Sequence, residues 1–163
     1  PGRASHADTW PCSVVAPVAL GLLCGATPRR MLAAVSSVAN GGQYVEPRVI
    51  RAIYKDNRRY AVQPKFVRRP ISADTASVMT EIMEGVVDRG TAKAAQMPGY
   101  TVAGKTGTAA KLVNGRYSSS DWTASFVGFV PSRDPAFAIT VVTASPHARG
   151  PPGGALPSPR VRR

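Results

Sequence analysis

Apolar residues recur with a helical period in two segments of the chain. The first segment, residues 31–39, follows Thr27-Pro28, which suit the N-cap and the first turn of a helix, and it stops at Asn40-Gly41-Gly42. The second follows Ser72, a good N-cap, and ends at Gly90. Its apolar positions lie at one-and-four spacing and are predicted to form a buried stripe: Val78, Met79, Ile82, Met83, Val86 and Val87.

Three acidic residues of the second predicted helix fall outside its apolar stripe: Glu81, Glu84 and Asp88. Paired carboxylates can serve as a general acid and base. The helical period, however, places these side chains toward solvent. We therefore interpret them as surface charges and not as a catalytic pair.

Between the two helices, residues 43–54 have the β-branched and aromatic content of a strand. Pro47 restricts this strand to a sheet edge or splits it, because proline has no N–H to donate to a ladder. Residues 60–67 are the predicted partner.

Three further strands are predicted after the second helix, at residues 100–109, 123–130 and 136–142. The connections are short, and Asn114-Gly115 is a turn signal within residues 111–120. Short connections indicate an antiparallel meander. The third strand is almost entirely apolar, which is typical of a strand covered on both faces. The fold class is therefore α+β.

The chain of 163 residues is long enough for one domain, and 44% of it is hydrophobic. No apolar run approaches the ~20 residues that span a bilayer. The period that marks helices and strands is absent from both ends of the chain. We expect residues 1–26 and the Pro/Arg-rich residues 143–163 to be poorly ordered, and residues 27–142 to form the domain.

The net charge of +12 suggests a nucleic-acid or anionic-surface binder. Half of this excess lies in residues 1–30 and 143–163, which weakens that interpretation. Arg58-Arg59 and Arg68-Arg69 flank a short stretch that could contact phosphates, but a solvated hairpin is the preferred interpretation. This function remains a distant alternative, and we expect no nucleic-acid partner.

Metal and cofactor chemistry is not indicated. Cys12 and Cys24 are the only cysteines, and His6 and His147 lie in opposite end segments. Two cysteines allow one disulfide but no metal site, and free thiols are expected.

The candidate chemistry lies in Lys105-Thr106-Gly107-Thr108. Small residues surround one positive charge, and two hydroxyls add donors that can turn toward an anion. Gly107 removes a Cβ where another backbone can come close. Such a strand suits an extended substrate that ends in a carboxylate, and Lys-Thr-Gly is a motif of penicillin-binding proteins and serine β-lactamases.

Four sequence blocks, one of which contains the Lys-Thr-Gly motif, resemble segments of this family in the same order and with the same spacing. Together they resemble class B penicillin-binding proteins, the monofunctional peptidoglycan D,D-transpeptidases, over roughly residues 27–142. The resemblance implies part of a β-lactamase/transpeptidase-like α/β sandwich fold. The blocks run from Met31 to Gly42, from Met83 to Ala92, from Val102 to Ala109 and from Trp122 to Pro131.

The resemblance implies serine acyl transfer between peptidoglycan stem peptides, with β-lactams acylating the same serine. Lys105 and the hydroxyls of Thr106 and Thr108 would bind the terminal carboxylate. The Thr108 N–H would donate to the oxyanion, so that Lys105 and Thr108 are the catalytic candidates. Residues 105–108, Gly107 included, would pair with the substrate by strand addition.

The chain also departs from the family pattern. It contains neither Ser-x-x-Lys, the family's nucleophile motif, nor Ser-x-Asn. We therefore expect a partial or frameshifted product that is inactive alone. A D,D-carboxypeptidase, a β-lactamase or a β-lactam sensor remain alternatives. The resemblance further implies a membrane-anchored parent protein in a cell-wall synthesis complex, at the outer face of the cytoplasmic membrane.

The complete family domain has a five-stranded sheet between helices, whereas three strands of that sheet and two helices are predicted here. One face of the sheet would then lack its cover. We expect poor solubility or a molten state for the isolated chain.

Overall fold

A helix, two small strand pairs, a second helix and a three-stranded sheet follow one another along the chain. The computed structural model describes residues 26–113 and 116–144. The first half contains α1 (Pro28–Ala39), β1 (Tyr44–Val45), β2 (Ala52–Lys55), β3 (Arg58–Ala61) and β4 (Phe66–Arg68). The second half contains α2 (Ala73–Asp88), a 3₁₀ turn (Lys93–Ala95), β5 (Ala103–Val113), β6 (Arg116–Val130) and β7 (Phe137–Ala144).

Several sequence predictions lie outside the described residues. They concern almost all of the two end segments, the two cysteines and two histidines, and the Asn114-Gly115 turn.

Both predicted helices form with the predicted caps. The Thr27 hydroxyl accepts a hydrogen bond from the Arg30 N–H at 3.4 Å, and the Ser72 hydroxyl accepts one from the Thr75 N–H at 3.1 Å. These bonds satisfy donors that a helix start otherwise leaves unpaired. Among the described residues, no helix combines the length and apolarity that crossing a membrane requires.

The chain around Pro47 forms two separate strand pairs. β1 pairs with β4 and β2 pairs with β3, both antiparallel. Pro47 lies between β1 and β2, so the predicted split is confirmed. The partner predicted at residues 60–67 is confirmed as two separate strands, since Ala52 and Ile53 pair with Ala61 and Tyr60, and Val45 pairs with Phe66. Asp56 and Asn57 have φ values of 50° and 57°, which is the conformation that closes a two-residue hairpin.

The large sheet has the order β5-β6-β7 and is an antiparallel meander, as predicted. β5 and β6 are longer than predicted, because residues 111–113 and 116–120 continue the ladder with Leu112 opposite Tyr117. The turn signal at Asn114-Gly115 predicted a connection over residues 111–120. A ladder that extends beyond the core accepts polar residues, since its side chains need not be buried.

The core lies on both faces of β6. Phe126 and Phe129 are three positions apart and therefore point to opposite faces. Phe126 packs in a cluster with Val87, Ala92 and Val102. Phe129, which is 1% exposed, packs in a second cluster with Met83 and Ala103, and residues of α1 pack against it. α2 supplies one buried residue to each cluster, Val87 to the first and Met83 to the second, so it is fixed to the sheet at two points.

Two predictions of burial are wrong. In α2, Met83 and Val87 are buried, but Val78 and Ile82 are each 56% exposed. The helix contacts β5 and α1 with only part of its stripe, and the rest stays at the surface. In β7, Phe137 is 68% exposed, because β7 is the outer strand of the described sheet and is not covered on both faces.

Glu84 is also not the surface charge that the helical period predicted. Its side chain is 17% exposed and accepts a hydrogen bond from the Ser132 hydroxyl, while the Arg133 Nε lies 3.7 Å away. Ser132 is buried, and its N–H donates to the Thr101 carbonyl at 2.9 Å. Glu84 thus joins α2 to the β6–β7 connection, which sequence periodicity could not show.

Two adjacent substitutions in α2 test this division of the stripe. Ile82→Lys should leave helix content unchanged, raise solubility and lower the binding of a hydrophobic dye, because the side chain is already at the surface. Met83→Lys should lower helix content and raise binding of the dye, because an unpaired ammonium in the core is strongly unfavourable. Equal effects of the two substitutions would contradict the observed burial.

Candidate functional site

The Lys105–Thr108 motif lies in the regular part of β5, an outer strand of the described sheet. Lys105 is opposite Val127, and Thr108 is opposite Ala124. The side of β5 away from β6 pairs with no strand of the described residues. On such an edge, alternate residues direct their N–H and C=O groups outward, where an extended chain can pair with them.

The Lys105 side chain is exposed, and its ammonium donates a hydrogen bond to the Thr106 carbonyl at 2.8 Å. Among the described residues it has no ion-pair partner. An ammonium has three donors, so this bond leaves two for an external acceptor. The site therefore carries a positive charge that no carboxylate of the described residues neutralises.

The hydroxyls of the motif lie on the other face of the strand. Side chains alternate along β5, so Thr106 and Thr108 share one face and Lys105 lies on the opposite one. The Thr106 hydroxyl is 2.7 Å from the Thr91 hydroxyl, and Thr108 is exposed. The ammonium and the hydroxyls can therefore bind the same carboxylate only if that carboxylate lies at the unpaired edge of β5, between the two faces.

Thr91 is a residue of this site that sequence reasoning did not select. It follows the end of α2, in the Gly-Thr-Ala of the second motif block, and it bonds Thr106 across 15 positions of sequence. One signal was available in the sequence: Thr91 belongs to a motif block that precedes the Lys-Thr-Gly block with the order and spacing of the family. Periodicity alone could not show the contact, because Thr91 lies beyond the helix.

Of the two glycines in β5, Gly104 has the closer neighbour, although it was not a site candidate. A Cβ on Gly104 would lie 2.5 Å from the Phe126 ring, which is buried in a packed core cluster. A Cβ on Gly107 would lie 2.6 Å from the Ser125 hydroxyl, a small group that can rotate. Among the described residues, the nearest neighbour of Gly107 is thus a side chain on β6.

An exposed lysine on an outer strand of an antiparallel sheet, with helices packed against that sheet, is the arrangement expected of a transpeptidase-type domain. The family model of the penicillin binding protein transpeptidase domain matches residues 3–162. The chain belongs to the penicillin-binding protein transpeptidase family. The matched range includes both end segments, beyond the residues that the motif blocks covered.

Curated relatives agree with this family. Stage V sporulation protein D of Bacillus subtilis is 32% identical over 160 residues, which is 93% of this chain and 25% of the relative. The probable peptidoglycan D,D-transpeptidase PenA of Neisseria flavescens is 40% identical over 102 residues, which is 62% of this chain and 25% of the relative. The chain thus spans about a quarter of the length of these relatives.

Solved structures show the same fold. Penicillin-binding protein 3 of Mycobacterium tuberculosis, complexed with aztreonam, has a TM-score of 0.83 and 30% identity, over 90% of this chain and 35% of that one. The transpeptidase domain of Burkholderia pseudomallei penicillin-binding protein 3 has a TM-score of 0.78 and 28% identity, over 94% and 44%. The predicted β-lactamase/transpeptidase-like α+β fold is confirmed.

The two glycines make a matched pair for mutation. Gly104→Ala should lower the free energy of unfolding by about 1–3 kcal/mol, because it pushes Phe126 out of a packed core. Gly107→Ala should cost less, because the Ser125 hydroxyl can rotate. Urea unfolding measures both, and Phe126→Leu should partly restore the Gly104 variant. If Gly107→Ala proved the more harmful substitution, the assignment of the tight contact to Gly104 would be refuted.

Proposed function

We propose that this chain is the part of a peptidoglycan D,D-transpeptidase that holds the carboxylate end of a stem peptide along β5. The observation that supports the proposal is the Lys105 ammonium, exposed and without an ion-pair partner among the described residues, on an open strand edge in a chain of this family. In this proposal, residues 27–142 contribute that part of the transpeptidase domain.

The proposed roles follow the chemistry of acyl transfer. A serine oxygen attacks the carbonyl of the penultimate D-alanine, and the terminal D-alanine leaves as an amine with the serine proton. An amine of a second stem peptide then displaces the serine. Lys105, Thr106 and Thr108 bind the terminal carboxylate by charge-assisted hydrogen bonds. The Thr108 N–H stabilises the oxyanion, and β5, Gly107 included, pairs with the extended substrate.

The nucleophile is the component that this sequence does not supply, because no Ser-x-x-Lys occurs in its 163 residues. We propose that the chain forms no acyl-enzyme by itself, since groups that stabilise a transition state cannot replace the attacking atom. β-Lactams are the expected inhibitors of the parent protein. We further propose that this parent is membrane-anchored, acts at the outer face of the cytoplasmic membrane and belongs to a cell-wall synthesis complex.

Carboxylate recognition is tested with N-acetyl-D-Ala-D-Ala and its C-terminal amide as ligands. Saturation-transfer NMR suits such weak binding. The acid should bind this chain better than the amide, and Lys105→Gln should weaken binding of the acid roughly tenfold, the effect of one charge-assisted hydrogen bond. Arg29→Gln, which removes one positive charge from the exposed start of α1, should change nothing. Equal binding of acid and amide, or full binding by the Lys105 variant, would refute the proposed role.

The absence of a nucleophile is tested with a fluorescent penicillin. After incubation and denaturing electrophoresis, this chain should show no covalent band under conditions that label a complete relative such as PenA. Omission of the denaturing step controls for non-covalent retention. A covalent band on this chain would show that another residue acts as the nucleophile, and would overturn the proposed inactivity.

A further inference from the structure

The β2–β3 hairpin is almost entirely exposed to solvent. Of its eight strand residues, all but the half-buried Ala52 are exposed, and the hairpin forms a two-stranded sheet of its own. Two hydrogen bonds connect the chain at its base: the Val62 N–H donates to the Arg51 carbonyl at 3.0 Å, and the Arg48 guanidinium donates to the Val62 carbonyl. Because an isolated two-stranded hairpin is only marginally stable in water, a third strand would stabilise it.

The hairpin concentrates positive charge. Residues 48–62 contain five basic residues and one acidic residue, a net charge of +4. Lys55 and Arg58 face each other directly across the two strands, next to the turn. Like charges in directly opposite positions destabilise a strand pair. This arrangement is unfavourable for the hairpin alone and becomes favourable when an anionic group lies between the two cations.

Exposed apolar side chains accompany the charges. Ile53 and Tyr60 form the next pair on the same face and are 54% and 51% exposed, and Tyr54, paired with Arg59 on the other face, is 74% exposed. Tyrosine and arginine are the residue types enriched at the energetic centres of protein interfaces. Asp56 and Asn57 make the tip polar, so the hairpin is poorly suited to inserting end-on into a lipid bilayer.

We propose that the β2–β3 hairpin is a docking element for an acidic, extended segment of another protein, which adds as a third strand. The open strand edges offer backbone N–H and C=O groups for pairing. Successive side chains of the incoming strand point to opposite faces. Acidic side chains at alternate positions would therefore lie on the face of Lys55 and Arg58, and the apolar side chains between them on the face of Tyr54. The inference depends on this surface alone and does not require the carboxylate-binding role of Lys105.

The probe is the labelled peptide Ac-Glu-Val-Glu-Thr-Glu-Val-Glu-NH2, compared with its block isomer Ac-Glu-Glu-Glu-Glu-Val-Val-Thr-NH2. Fluorescence anisotropy with the full chain should show tighter binding of the alternating peptide, and the binding should weaken as salt is raised. Equal binding of the two isomers would show that the surface attracts negative charge without recognising a strand, and would overturn the proposal. No binding of either peptide would also overturn it.

Variants separate docking from folding. Lys55→Glu converts the like-charge pair into an opposite-charge pair, which should strengthen the hairpin and yet weaken peptide binding roughly tenfold. The double variant Lys55→Glu/Arg58→Glu should abolish binding. Its matched control is Arg29→Glu/Arg30→Glu, which makes the same charge change at the exposed start of α1, where acidic residues suit the helix.

Other polyanions provide the last comparison. Double-stranded DNA and phosphatidylglycerol vesicles should lose no more affinity for the Lys55→Glu/Arg58→Glu variant than for the Arg29→Glu/Arg30→Glu control, because both variants lower the net charge equally. If either of them required the hairpin while the alternating peptide did not, the partner would be a nucleic acid or a membrane, and the proposal of a protein strand would be wrong.

Discussion

The pairing of β5 with β6 is the interaction on which the rest of the described structure depends. It runs from Ala103 opposite Phe129 to Val113 opposite Arg116. Because Phe126 and Phe129 project from opposite faces of β6, this one ladder is the centre of both core clusters. α2 is fixed to it by Met83 and Val87, and Lys105 stands on its outer side. A disturbance of β6 would therefore reach the packing and the candidate site together.

The sequence was sufficient to predict those features that depend on interactions between residues close together in the chain. Thr27 and Ser72 were predicted as caps because a hydroxyl can accept from the N–H of the residue three positions later, and both do so. The meander followed from short connections. The placement of Lys105 on a regular strand also followed from the sequence, because apolar and β-forming stretches flank the motif.

Features that depend on distant neighbours could not be predicted in this way. The helical period of α2 gives the direction of Ile82 and Glu84 but not what lies beside them. Ile82 remains exposed because neither α1 nor the sheet reaches it, whereas Glu84 is enclosed because Ser132 comes from the far end of β6. Likewise, the bond between Thr91 and Thr106 exists only because the chain returns from α2 to β5.

The described sheet has two chemically different margins. Along β5, Lys105 places an exposed cation at the border, and charged residues on an edge strand discourage edge-to-edge pairing with another sheet. Along β7, Phe137 and Val142 are exposed, and a long apolar border of this kind attracts other strands without selectivity. Self-association of this chain at high concentration would accordingly begin at β7, which would leave the lysine side of the sheet accessible within the aggregate.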